Sequence, residues 1–306
     1  MMDVAHYMGV PLGLCMAPLL LGIINRTKAF FAGRNGSPLF QAYYDIWKLL
    51  RKDAVYSRTT TWIFRSAPVV GLGSVMIAMI LVPVAGSSLF AFTGDLIFFA
   101  YCLGLMRFAT VIAALDTGSS FEGMGASREV HFSTLAEPAL LLGLAALAKL
   151  SGSFSLTGMF GGLSGSDWLA SGPAIALIAF AVFVVFLAEN ARIPVDDPNT
   201  HLELTMIHEV MILDYSGPDL GIVLYAAALK LWVLGALIVN ILICAADLSG
   251  FSGLIVFAGG MFILAVLVGI VESIMARLSL LKVPQLLVGA GAMSVLALIL
   301  VMRFTS

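Results

Sequence analysis

"GIVLYAAALKLWVLGALIVNILICA" (221–245) holds a single charge, Lys230, in twenty-five residues. About 20 mostly apolar residues, wound as a helix, cross the hydrocarbon layer of a bilayer. This stretch is long enough to span and too apolar all round for the surface of a soluble domain. Comparable runs lie on both sides of it, at 9–27, 66–86, 96–114, 131–150, 173–190, 251–272 and 285–302. With 60% hydrophobic and 11% charged residues and a mean hydropathy of +1.04, the chain reads as an all-α membrane protein. The expected architecture is about eight transmembrane helices in one polytopic domain over 1–306. Gly and Pro interrupt several runs, which membrane helices tolerate when neighbours re-satisfy the backbone. The first run has neither a basic leader nor a small-residue cleavage site, so it is expected to be a retained span.

Basic residues set the expected orientation. The segment after the first span carries Arg26, Lys28, Arg34, Lys48, Arg51, Lys52, Arg58 and Arg65, and Arg128, Arg192, Arg277 and Lys282 fall in or beside later loops of the same side. By the positive-inside bias those loops face the cytoplasm and both termini face outward. In the first loop, Phe40, Tyr43, Tyr44, Trp47 and Leu50 recur at helical spacing, with Asp45, Lys48, Arg51 and Lys52 between them. They predict a cytoplasmic amphipathic helix lying on the membrane surface or against a partner. The second loop, "LDTGSSFEGMGASREV" (115–130), offers Asp116, Glu122, Arg128 and Glu129 on an irregular, close-packed path that suits docking.

Just before the opening stretch, "AENARIPVDDPNTHLELTMIHEVMILDYSG" (188–217) gathers six carboxylates: Glu189, Asp196, Asp197, Glu203, Glu209 and Asp214. Asp197-Pro198 reads as a helix N-cap followed by proline at the first helical position. A short acidic helix over about 198–213, between spans five and six, would set Glu203 and Asp214 on one face, aimed inward.

Further ionisable residues sit within spans: Arg107, Glu137 and Lys230, with Glu189 and Glu272 at span ends. A charge at a membrane helix centre costs about 2.5–3.5 kcal/mol on insertion scales, so such residues pair with one another or line a water-filled path. Acids strung from a polar mouth into a bundle meet the requirement of a proton relay. A static Arg107–Glu137 pair, and snorkelling ends for Glu189 and Glu272, are the plainer alternatives. Cys15, Cys102 and Cys244 form no CxxC, the histidines lack zinc-ligand spacing, and no nucleotide-binding or nucleophile motif occurs. No catalytic, cofactor-binding or metal residue is expected in this chain.

These segments resemble the membrane subunit of group 4 nickel-iron hydrogenase complexes, formate hydrogenlyase and hydrogenase-4 among them, related in turn to subunit 1 of respiratory complex I. "AENARIPVD" (188–196) is similar to the family's AE-x-x-R-x-P-F-D element, "DYSG" (214–217) to its EYSG, and "LDTGSSFEGMGASRE" (115–129) to the hydrogenase branch's LDTGSPF…GASRE. "YYDIWKLLRK" (43–52), "AEPALLLGL" (136–144) and the segment around Glu272 resemble that branch too. After Asp196 the chain reads "DDPNTHLEL", where the complex I pattern runs DLPEAESEL, so Asn199 and His201 stand at acid positions and Glu203 keeps its place.

The resemblance implies a subunit without a redox site of its own, in a bacterial or archaeal cytoplasmic membrane. Hydrogenase-like large and small subunits, holding the nickel-iron site and iron-sulfur clusters, would dock on the cytoplasmic side through Asp45, Lys48, Arg51, Lys52, Asp116, Arg128 and Glu129. Antiporter-like membrane subunits would pack beside it in the lipid bilayer, with no nucleic acid involved. Glu137, Glu189, Asp196, Glu203, Asp214 and Glu272 would carry or gate protons, tuned by Arg107, Arg192 and Lys230, in a complex that translocates protons (or sodium). A quinone-binding subunit and a passive anchor are the alternative readings.

Overall fold

The computed structural model describes residues 4–196, 206–243 and 250–304. Among these, ten α-helices follow in order: α1 (Val4–Phe31), α2 (Gln41–Leu50), α3 (Trp62–Leu81), α4 (Asp95–Asp116), α5 (Ser120–Ser151), α6 (Leu156–Gly161), α7 (Gly165–Glu189), α8 (Gly217–Ile243), α9 (Gly250–Ile274) and α10 (Val283–Phe304). All but α2 and α6 are long and apolar enough to cross a membrane. The all-α, eight-span reading of the sequence therefore stands.

Element ends follow local chemistry. α3 stops at Leu81, short of the predicted 86, because the residue before Pro83 is steered out of helical geometry. α7 carries a non-helical Ser171 two residues ahead of Pro173, where the ring removes one backbone bond and bends the axis. The largest departure is α5, which begins at Ser120 instead of 131 and runs for 32 residues. The second loop is thus not an irregular path. Only Thr117, Gly118 and Ser119 separate α4 from α5, and Gly118 supplies the turn with a φ of 70°.

α8 lies at the centre of the bundle: 67% of its most apolar window is buried, against 28% for α10 at the rim. It touches α1, α2, α3, α7 and α9, while α10 packs on α5 and α7. In lipid, apolar side chains gain nothing by leaving solvent, so tight contact between small residues holds helices together. Gly13 of α1 meets Trp232 of α8, where an added Cβ would lie 2.7 Å from the indole nitrogen; Gly269 of α9 meets Thr27 of α1 at 2.6 Å in the same sense.

Pro18 shapes the α1–α8 contact. A proline has no N–H to offer the carbonyl four residues earlier, which frees that of Leu14. The Tyr225 hydroxyl of α8 donates to it at 3.0 Å, and the Tyr43 hydroxyl of α2 donates to the neighbouring carbonyl of Cys15. Thus α2 does not simply lie on a surface. Ala42, Ile46 and Leu49 turn inward, half-buried, and leave Phe40, Tyr44, Trp47 and Leu50 exposed on the outer face.

Candidate functional site

Arg107 points inward from α4 because its neighbours Leu105 and Phe108 take the outward face, 48% and 61% exposed. Three carboxylates surround its guanidinium. Glu129 of α5 lies 3.4 Å from Nε, Glu137 of the same helix meets Nη1, and Glu189 at the end of α7 meets Nη2. Lys230 of α8 reaches the other oxygen of Glu189 at 2.7 Å. Four transmembrane helices therefore contribute to one ion-pair network. Glu129, Glu189 and Lys230 are buried, whereas half of the Glu137 side chain is open on the outside of α5.

Two further groups of ion pairs lie beside it. Glu272 of α9 is held by Lys28 of α1 at 2.8 Å and by Arg192 at 3.5 Å. Arg277, just beyond α9, reaches Asp196 at 3.0 Å. The other oxygen of Asp196 accepts the backbone N–H groups of Ile207 at 3.1 Å and His208 at 3.3 Å. The segment after α7 is thereby folded back onto its own later part.

His208 stands where the networks approach. Its Nε2 is 3.1 Å from Glu129 and its Nδ1 4.0 Å from Asp196. Burial alone would lower the imidazole pKa, but Glu129 outweighs it and leaves the value above the ordinary one. For Arg192 the balance runs the other way: burial holds its pKa below the usual guanidinium range even with Glu272 adjacent.

A cavity of about 490 Å³ opens onto these groups, bordered by Arg107, Glu129, Glu189, Arg192, His208 and Lys230 on one side and by Asn25 of α1 and Gln41 and Asp45 of α2 on the other. Apolar side chains such as Leu21, Val223 and Leu231 line the remainder. Charge and apolar surface thus share one chamber.

Several expected residues come together and others do not. Arg107, Glu137, Glu189 and Lys230 meet in the first network, Arg192 and Glu272 meet with Lys28, and Asp196 pairs with Arg277. Glu189 and Glu272 are not snorkelling ends; both are buried and paired, at 6% and 5% exposure. Glu203, with Asp197 and His201, lies outside the described residues. Of the acidic helix expected over 198–213, the described part shows one 3-10 turn, Glu209–Ile212. Ahead of that turn, the N–H groups of Ile207 and His208 are taken by the Asp196 carboxylate. Asp214 was expected to aim inward but is exposed, and its backbone N–H donates to the buried Glu122 at 3.1 Å.

The expected docking residues also divide. Lys48, Arg51 and Lys52 are exposed, with Arg51 over the Trp47 ring at 4.6 Å. Asp45 is exposed at the chamber edge. Asp116 instead caps α3, accepting from the N–H of Thr61 at 2.7 Å. Arg128 donates to the Met206 carbonyl at 2.9 Å. Glu129 is a correction: extending α5 back to Ser120 turns it into the core beside Arg107.

Comparison with known proteins places this architecture. A family profile described as NADH dehydrogenase matches residues 5–303. The chain belongs to the NADH dehydrogenase family. Its relatives include formate hydrogenlyase subunit 4 of Escherichia coli K12, 32% identical over 265 residues that cover 86% of this chain and 83% of the relative. Hydrogenase-4 component C of the same organism is 34% identical over 230 residues, 74% of this chain and 70% of that protein. Among solved structures, the membrane-bound sulfane sulfur reductase, an archaeal respiratory membrane complex, shares the fold: the TM-score is 0.83 at 19% identity, over 97% of this chain and 98% of the other.

Within this member of the NADH dehydrogenase family, the pairing chemistry exceeds what the sequence pattern suggested. Glu129, His208, Lys28 and Arg277 join the site although none was assigned to the relay. Glu129 had a legible signal, since it precedes Glu137 by two helical turns once α5 is drawn to its full length. Lys28, His208 and Arg277 had none, because their partners are remote in sequence.

Proposed function

We propose that this chain is the membrane subunit of an energy-converting, hydrogenase-like complex, and that it couples electron transfer in a peripheral arm to proton or sodium translocation. The arm's large and small subunits, with their nickel-iron and iron-sulfur centres, dock on the basic face formed by the ends of α1, α4, α7 and α9 and by α2. That face lies in the cytoplasm by the positive-inside bias, in the cytoplasmic membrane of a bacterium or archaeon. The relatives' names support the setting. The observation that carries the mechanism is the network Glu137–Arg107–Glu189–Lys230, buried at Glu189 and Lys230 and half open at Glu137, which opens onto a chamber.

A redox event in the arm alters charge near the chamber mouth. Carboxylates held between desolvation and cationic neighbours respond to small changes in field by shifting their protonation. Glu137 leads outward from the network at the middle of α5. A charge left in lipid at that depth costs about 2.5–3.5 kcal/mol, which a neighbouring antiporter-like subunit packed on α5 removes. Protons then have a route from the chamber towards the next subunit.

The test is ion uptake by inverted membrane vesicles holding the whole complex. Glu137→Gln keeps the side chain's size and hydrogen bonding and removes its exchangeable proton. The complex should assemble, yet ion uptake per turnover should fall at least tenfold. Full uptake in an intact complex would sink the relay and leave the passive anchor. The chamber also favours a second reading, a quinone site, because its apolar walls and charged end suit an apolar ring with polar oxygens. Quinone that co-purifies stoichiometrically and is displaced by bulky substitution at Val223 would favour that reading.

A further inference from the structure

The Arg107 network and the Asp196–Arg277 pair lie on either side of one titratable side chain. His208 reaches Glu129, and through it Arg107, on one edge of its ring, and faces Asp196, held by Arg277, on the other. A quarter of the side chain is accessible, and it borders the chamber. Histidine is the side chain whose ordinary pKa, about 6.5, lets it gain and lose a proton near neutrality.

Charge counting points the same way. In the first network three carboxylates, Glu129, Glu137 and Glu189, face two cations, Arg107 and Lys230. The balance closes when His208 carries a proton and opens by one negative charge when it does not. No other neighbour of Glu129 named in the network can change charge in that way near neutrality, since Arg107 keeps its proton throughout.

We propose that His208 is the hand-over residue through which a proton passes between the Asp196–Arg277 pair and the Arg107 network. The inference rests on the reading that these networks carry protons. With the ring proton on Nε2, Nδ1 presents a lone pair toward Asp196. A proton taken at Nδ1 gives the imidazolium, and loss of the Nε2 proton to the Glu129 carboxylate leaves a neutral ring protonated on Nδ1. One proton enters, one leaves, and no electrons move. Rotation of the ring resets it.

The geometry shows where control lies. The Glu129 contact is within hydrogen-bond reach, while 4.0 Å to Asp196 exceeds the roughly 3.2 Å limit. Neither ring nitrogen makes an aligned hydrogen bond, and the wider gap is on the Asp196 side. Asp196 also holds the backbone N–H groups of Ile207 and His208, which ties the segment that carries the ring to this acid. Gly125 fixes the segment's seat on α5: an added Cβ there would meet Val210 at 2.2 Å. Among the described residues, the groups facing the ring are Glu129 from α5, Asp196 from the segment after α7 and Lys230 from α8, with Arg107 and Arg277 behind them. Two of the three direct neighbours are acids, which favours the protonated ring and agrees with its raised pKa.

The experiment uses the whole complex in inverted vesicles, comparing wild type, His208→Gln and Glu137→Gln between about pH 6 and 9. Wild-type ion uptake should fall as pH rises through the imidazole's value. His208→Gln should lose uptake at least tenfold at every pH while the complex stays assembled. Wild-type uptake with an unchanged pH profile in His208→Gln overturns the inference. If Glu137→Gln is blocked in that case, the hand-over alone fails; if both variants pump normally, the relay reading fails with it. Should His208→Gln not assemble, hydrogen–deuterium exchange at the Cε1 carbon of the His208 ring in the wild-type complex, followed peptide by peptide by mass spectrometry, reads the titration of the ring without a bulky reagent. The exchange rate should follow a midpoint above about 6.5. A midpoint below that value, with the ring neutral throughout the working range, overturns the proposal.

Discussion

Glu137 and Glu189 bind the same arginine but differ in surroundings, and that difference predicts unequal costs for the same substitution. Glu189 is 6% exposed and lies between Arg107 and Lys230, while Glu137 is 50% exposed and touches Arg107 alone. Glu189→Gln leaves two cations short of a partner in a buried site. Breaking a buried pair in this way costs about 3–5 kcal/mol, or roughly 150- to 5,000-fold in the folded fraction at about 1.4 kcal/mol per tenfold. Glu137→Gln leaves Arg107 still paired to Glu129 and Glu189. Its loss belongs with the half-open pairs, at about 1 kcal/mol or less, or roughly fivefold. Thermal midpoints of the purified complexes, with the share of this subunit retained through detergent extraction, measure the contrast. Glu189→Gln should show a clear drop in both, and Glu137→Gln a small one. Equal losses, or a larger loss for Glu137→Gln, would show that burial and partner number do not govern the network's stability.

Three further outcomes follow from the structure. Tyr225→Phe strands the carbonyl that Pro18 frees, which should lower stability by roughly 1–3 kcal/mol. Pro18→Ala restores an internal partner for that carbonyl, so the double variant should lose less than the sum of the two, and additive losses would refute the pairing. The raised pKa of His208 gives a signed pH effect: its contribution is complete below the unfolded value of about 6.5 and is lost as pH rises through the folded value. The thermal midpoint of wild type relative to His208→Gln should therefore decline across that window, and a difference that is constant with pH would contradict it. For orientation, a membrane-impermeant thiol reagent should reach Ser57→Cys from the cytoplasmic side and Ser166→Cys from the opposite side, in a background lacking Cys15; the reverse pattern overturns the docking face.

Span number, fold class and the polar face were legible because each rests on local composition. A run such as 221–245 has one low-energy solution in a bilayer, whatever lies around it. Helix ends were less so. The second loop looked irregular because small residues and glycines dominate it, yet α5 continues through it. Gly125 is there for close approach to Val210, not for a turn. That error moved Glu129 from the surface to the core.

The sequence by itself determined that Arg107, Glu137, Glu189, Lys230 and Glu272 are retained at a cost in a membrane, and hence that they need partners. Which partner each takes was decided only by the tertiary structure. Ion pairing depends on distances between residues remote in the chain, 30 and 82 positions apart for the pairs of Arg107 with Glu137 and Glu189, and helical spacing carries no information on that. Thus the Arg107–Glu137 pair could be named as an alternative from depth alone, but its connection to Glu189, and through Glu129 to His208, required α4, α5, α7 and α8 to be packed together. The chamber has the same origin: its lining comes from separate helices, and space between helices exists only once their axes are placed.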